Sequence, residues 1–241
     1  MPLPSYLGFK RDAYLLVAYS FLGWLVGNIA WFILPFYFKS LGMSYSEIGT
    51  IFSISTLTQA TLLLFAGPIT VKLRYHRSLL LALLLFLTGR GLQVTYTRFE
   101  AFAVASTLFG FGMALEGPAL MSILSEEASD EDRHYLFSLN SAMGTFGAGF
   151  GMLLGGVLPG MFEGEPYRAA LLVAFFFIPL QMFLVFLVSP VAGGEVREIR
   201  FSKGLALRIA KFSLPSALIG LGAGITIPYM GCGSAGALRH R

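Results

Sequence analysis

Charge and cysteine are what this sequence is short of. Only 12% of its 241 residues are charged, about half the share of an ordinary soluble domain. The single cysteine, Cys232, excludes an intrachain disulfide, and no Cys/His cluster has the spacing of a zinc site, so no metal is indicated. Histidine is nearly as scarce, and His76, His134 and His240 fall in loops or the tail. Ser, His and Asp do not converge in a nucleophile pattern, and no glycine-rich phosphate loop follows a strand. The chemistry of an enzyme is not written here, and nothing calls for a cofactor.

Apolar residues are abundant. They make up 56% of the chain, with 23 Phe and a mean hydropathy of +0.73, a composition that belongs in a lipid bilayer. The formal charge of +4 does not indicate nucleic acid as a partner, because the basic residues sit in loops instead of gathering on one polar face. Near the N-terminus Lys10 and Arg11 precede an apolar run over 13–38. That run exceeds the 7–15 residues of a signal h-region, so it is read as a span.

About 20 helical residues cross a hydrocarbon core about 30 Å thick. Seven stretches qualify, over about 13–38, 47–71, 78–96, 100–124, 135–160, 168–189 and 206–230, which predicts an all-α polytopic transmembrane helix bundle. Pro or Gly interrupts most of them, as membrane helices tolerate. Sorting the cations by connection tests the topology. Lys10, Arg11, Lys72, Arg74, Arg77, Arg133, Arg197, Arg200, Lys203, Arg208 and Lys211 fall on one side, and Lys39, Arg98 and Arg168 on the other. The positive-inside rule makes the first side cytoplasmic, so the chain is expected in the cell membrane as a multi-pass protein with its N-terminus inside.

The long polar connection is SPVAGGEVREIRFSKGLALRIAK, and it follows the sixth span. Displaced by 193 residues, Gly27, Ala30 and Pro35 fall on Gly220, Ala223 and Pro228. The expected organisation is a six-helix bundle over 1–189, a cytoplasmic linker over 190–211, and over 212–241 the first helix of a second bundle with an aberrant tail, GCGSAGALRHR. Such a chain reads as a truncated or frame-shifted product, the alternative being a half-length protein that dimerises.

Several spans carry a polar residue well inside: Asn28, Gln59, Arg90, Glu116, Asn140 and Gln181. Polar groups in lipid are costly and face the bundle interior or an aqueous cavity. For the four amides two readings stand, an interhelical hydrogen bond worth about 0.6 kcal/mol or a place in a substrate cavity. Glu116 lies about 24 Å from the outer end of its helix at 1.5 Å per residue. Burial disfavours the ionised carboxylate, the physical requirement for taking up and releasing a proton, and the alternative is a structural carboxylate held by neighbouring hydroxyls. The adjoining Gly117-Pro118 removes a backbone donor and is expected to kink the helix. Arg90, about 8 Å from its own outer end, is too far along the axis to pair with Glu116. It is expected to snorkel outward or meet Glu100.

Between the second and third spans the chain reads Gly67-Pro68-Ile69-Thr70-Val71-Lys72-Leu73-Arg74-Tyr75-His76, followed by Arg77. This resembles the G-P-L-A-D-R-x-G-R-K/R signature of the major facilitator superfamily of secondary transporters. Val71 stands at the acidic position and Arg74 at the second glycine. In the fifth span, Gly147, Gly151, Gly155 and Gly156 fit in register the superfamily's G-x-x-x-G-P-x-x-G-G motif, with Met152 at the proline, a departure that puts antiport in doubt. In the fourth, Gly110 and Gly112 match a Gly-x-Gly, but the preceding Arg position falls near Ser106, which weakens proton coupling and leaves uniport or sodium coupling open.

The resemblance implies two six-helix bundles joined by a cytoplasmic loop, and alternating-access transport of a small-molecule substrate across the lipid bilayer. The first and fourth helices would line the cavity, which places Glu116, Asn28, Gln59, Asn140 and Gln181 as candidates there. It also implies an inner gate between the basic hinge, with Lys72, Arg74 and Arg77, and the acidic connection after the fourth span, with Glu126, Glu127, Asp130 and Arg133. The connection read by itself is a solvated loop with Ser129 capping a short helix. The alternative function is a non-transporting half-bundle that acts only through partner helices, and a second half-transporter chain is the partner considered for it.

Overall fold

A computed structural model of the chain describes residues 9–190, so the linker and seventh helix expected beyond residue 190 lie outside the described residues. Within them the chain forms six helices: α1 (Arg11–Ser40), α2 (Tyr45–Leu73), α3 (Tyr75–Thr95), α4 (Phe99–Glu127), α5 (Arg133–Val157) and α6 (Pro166–Leu187), with a single 3-10 turn (Leu158–Met161) closing α5. All six are long and apolar enough to cross a membrane, and no strand occurs among the described residues.

Local chemistry sets the ends. After α1 the chain turns at Gly42 with φ 84°, and Gly164 takes the same φ before α6, a conformation open to glycine because it has no Cβ. At the start of α2, Ser44 and Glu47 form a capping box. The Ser44 N–H donates to Glu47 Oε2 at 2.8 Å and the Glu47 N–H to Ser44 Oγ at 3.3 Å, so two otherwise orphaned donors are satisfied. Pro166 opens α6, where its missing N–H costs nothing.

Two connections differ from expectation. The Gly67-Pro68 pair is not a turn, because α2 runs through it to Leu73, and the hinge shrinks to Arg74, which has φ 67° and ψ 136°. A non-glycine residue there is strained, at the position where the superfamily signature has its second glycine. The acidic connection is also shorter, since Glu126 and Glu127 complete α4 and Arg133 begins α5. Ser129 Oγ accepts the Asp132 N–H at 3.2 Å and so caps the turn that leads into α5. The Gly117-Pro118 step does not interrupt α4.

The helices pair in two sets. α1 lies along α5 and α6, α4 lies along α2 and α3, α3 meets α6, and α1 touches α4 only briefly. Exchanging each helix with the one three places away maps this pattern onto itself, the arrangement of inverted three-helix repeats. At the centre of the core Tyr19, Phe38, Phe102, Ile29 and Ile33 are fully buried. Polar contacts pin helix ends to one another: Asp12 of α1 accepts the Ser189 N–H at 2.9 Å, the Tyr37 hydroxyl donates to Gln93 O at 3.2 Å and Arg168 Nε donates to Val94 O at 2.8 Å.

Candidate functional site

The short contact between α1 and α4 is where an ionisable group is held. Tyr19, 1% exposed, donates its hydroxyl to Glu116 Oε1 at 2.5 Å. Tyr19 lies about 12 Å along α1 from its start and Glu116 about 16 Å from the end of α4. Helices that cross in alternation place those two ends on the same side, so the levels agree. The bond therefore joins the first helices of the two repeats well inside the spans, where a hydrogen bond is stronger than in water. Sequence reading singled out Glu116 and missed Tyr19. The signal available was its position in an otherwise apolar run, but a tyrosine counts as an aromatic until a partner for its hydroxyl is known.

Among the described residues none of the four amides is hydrogen-bonded to Glu116. Asn28 is half-buried and its Nδ2 donates to Trp24 O of its own helix at 2.7 Å. Gln59 is half-buried on α2, on the stretch whose backbone touches Gly110 of α4. Asn140 of α5 and Gln181 of α6 are buried, each with one side-chain atom, Asn140 Oδ1 and Gln181 Nε2, lacking a partner. Gln181 Nε2 lies beside Gly23, 2.9 Å from where a Cβ would stand, so Gln181 packs against α1.

Three of the four candidate glycines on α5 form one column. A Cβ on Gly147 or Gly151 would strike the carbonyl oxygens of Phe21 and Leu25, and one on Gly155 would come within 3.1 Å of Ile29 O. The carbonyls advance four residues at a time with the glycines, so α1 and α5 run parallel, backbone against backbone, for about two turns. Gly156 is outside the column: it is exposed, and a Cβ there would meet only Phe32 at 3.8 Å.

Among the described residues no ion pair bridges the basic hinge and the acidic turn. Among the described residues the salt bridges are Arg133 with Asp130 at 2.9 Å and Arg168 with Glu165 at 2.7 Å, both local. Lys72, Arg74 and Arg77 are exposed, as are Glu126 and Asp130, with Glu127 partly so. With Asp130 and Asp132 bonded within their own turn and Val71 in place of the hinge carboxylate, the described residues hold no ion pair across the expected inner gate. Arg90 also differs from expectation. It is 5% exposed and neither snorkels nor meets Glu100. Its Nη1 donates to Gln93 Oε1 at 2.6 Å and its guanidinium lies 4.8 Å from the centroid of the Phe109 ring. Gln93, one turn on, and the ring together stabilise the cation from within the bundle.

The described residues hold no cluster of His, Cys, Asp or Glu able to bind a metal. Comparison with known proteins identifies the architecture. Sucrose permease of Escherichia coli is 27% identical over 177 residues, covering 69% of this chain and 41% of that protein. The chain thus spans well under half the length of the curated relative it matches. Residues 16–230 match the family described as Major Facilitator Superfamily. A multi-pass helical fold, a repeat-symmetric pairing of six spans and a match along most of its length together place this chain in the major facilitator superfamily.

Proposed function

We propose that this chain is the first bundle, over 1–189, of a secondary transporter that moves a small solute across the cell membrane by alternating access, with its N-terminus cytoplasmic. The observation that carries the reading is the Tyr19–Glu116 hydrogen bond between α1 and α4. A carboxylate shared between two repeats at membrane depth can bind them in one state and release them when its protonation or its partner changes, and that gives a gradient something to act on. The likeness to a sucrose permease supports a sugar as the solute. The exposed glycine-free cations Lys72 and Arg77 beside Arg74 support the cytoplasmic assignment of that end.

The reading requires a companion six-helix bundle, whether through the linker and helix proposed over 190–211 and 212–241 or on a second half-transporter chain. Burial supports this: 50% of the most apolar window of α1 is buried but only 11% of that of α2 and 22% of that of α5, so two helices still present most of their surface outward. The test is transport by proteoliposomes carrying the complete assembly with Glu116→Gln. The variant is expected to insert and bind solute normally and to lose accumulation driven by a proton gradient while keeping downhill exchange. Full proton-driven accumulation in that variant would remove Glu116 from the mechanism.

A further inference from the structure

One face of α1 changes character along its length. Stepping three or four residues at a time, Ala13, Leu16 and Ser20 are buried, Trp24 and Trp31 are each 56% exposed with Gly27 exposed between them, and Leu34 and Phe38 are buried again. The corresponding face of α4 repeats the sequence: Phe102, Ser106 and Gly110 are buried, Met113 and Gly117 are open, and Leu120 and Leu124 are buried. Among the described residues nothing lies within 4 Å of a Cβ placed on Gly27 or on Gly117. Each of the two helices therefore has an opening at middle depth, bounded by buried residues on both sides, and the α4 opening, from Met113 to Gly117, flanks Glu116.

We propose that the α1 opening is a subsite for the flat face of a ring-bearing solute, seated over Gly27 between the indoles of Trp24 and Trp31. This rests on the transporter reading and adds the chemistry by which its solute is recognised. The two tryptophans are seven positions apart, about 10 Å along the helix axis, with the bare backbone of Gly27 between them. Indole faces attract the C–H face of a carbohydrate or the edge of an aromatic ring. The two indoles are held in place by what lies behind them. Trp24 rests against Gly144 of α5, whose Cβ would come within 2.8 Å of the indole. Trp31 meets Phe52 of α2 edge to face, with centroids 4.9 Å apart. Rigid aromatic walls around a side-chain-free floor lose little entropy on binding. An acyl chain lying along α1 would need a continuous groove, and the buried residues at both ends of the opening deny it one.

Trp24 and Trp31 are the only tryptophans in the chain, so intrinsic fluorescence of the whole purified protein reports on this opening directly. Titration with sucrose, with benzoate and with the ring-free polyol mannitol is the experiment. One of the two ring compounds is expected to give a saturable change in emission and mannitol none, and which ring compound does so decides between a carbohydrate and an aromatic solute. Gly27→Leu starts from a position where a Cβ meets no neighbour among the described residues, so it should keep the fold and elution volume while weakening that binding at least tenfold. Trp31→Ala should weaken it about threefold to tenfold, the range of one aromatic contact. No saturable change with any ring compound, equal responses to mannitol, or unchanged binding in folded Gly27→Leu would overturn the subsite. So would a change in association state caused by Gly27→Leu, which would make the opening a helix-docking surface. Binding in this assay does not require transport. Saturable binding with no uptake would defeat the transporter reading and spare the subsite, and uptake without an indole signal would do the reverse.

Discussion

The pair α1/α5 and its repeat counterpart α4/α2 occupy equivalent places in the bundle but are joined differently. On α5 the glycines Gly147, Gly151 and Gly155 face successive carbonyls of α1 over about two turns, and the Cβ atoms of Asn28 and Phe32 of α1 seat against Gly151 and Gly155. In the counterpart pair the approach is closest at one glycine, Gly110 of α4, where a Cβ would lie 2.6 Å from Ser55 O and from Thr58 Cβ of α2. Small residues let membrane helices approach by van der Waals contact, with no hydrophobic drive between them. One pair thus meets along a column of backbone contacts and the other at one notch. On the proposed transporter reading, the Tyr19–Glu116 bond is what couples the two pairs.

The most damaging way to break this comparison is Gly151→Leu, which drives a side chain into the Leu25 carbonyl at the middle of the column. Overpacking of this kind costs about 3 kcal/mol or more, and loss of the monodisperse peak in detergent should follow. Gly110→Ala puts one methyl into the notch and should cost about 1–3 kcal/mol, measured by thermal unfolding in detergent. Should Gly151→Leu prove the milder of the two, the column would not be a close contact at all. Tyr19→Phe removes the bond between the pairs and should cost about 1 kcal/mol of stability while reducing coupled transport severalfold. An unchanged transport rate would show that the pairs are not linked there. Arg74→Gly should stabilise the hinge by about 1 kcal/mol, from relief of its positive φ less the entropy of glycine, seen as a higher midpoint of thermal unfolding. The smallest effect is Gly156→Ala, where the neighbouring space is free. It should be neutral or slightly stabilising, since alanine is the better helix former, and any loss comparable to that of Gly155→Ala would extend the column.

The six spans were legible because their apolar runs match the bilayer thickness, and charge at their ends limited the error in the boundaries to two or three residues. Glu116 stood out because a lone acid in a span has no bland place to sit. Three features were not readable. Tyr19 and Glu116 are 97 positions apart, and no local pattern pairs them. Arg90 was expected to leave the bundle, yet Phe109 and Gln93 give it a site inside, where one helix faces another. Gly156 belongs to the same motif as the packing glycines but turns away from α1, because it directly follows Gly155 and one residue rotates the helix face by about 100°.

By itself, the sequence determined that this protein lives in lipid, how many times the described part crosses it and which of its residues carry charge where charge is expensive, since hydrocarbon penalises each polar group wherever it sits. Tertiary structure alone decided which tyrosine holds the buried carboxylate, which glycines bring two backbones together and where two tryptophans stay uncovered at middle depth. Those outcomes depend on which faces of distant helices meet, and in a chain apolar on every side hydropathy does not mark one face from another.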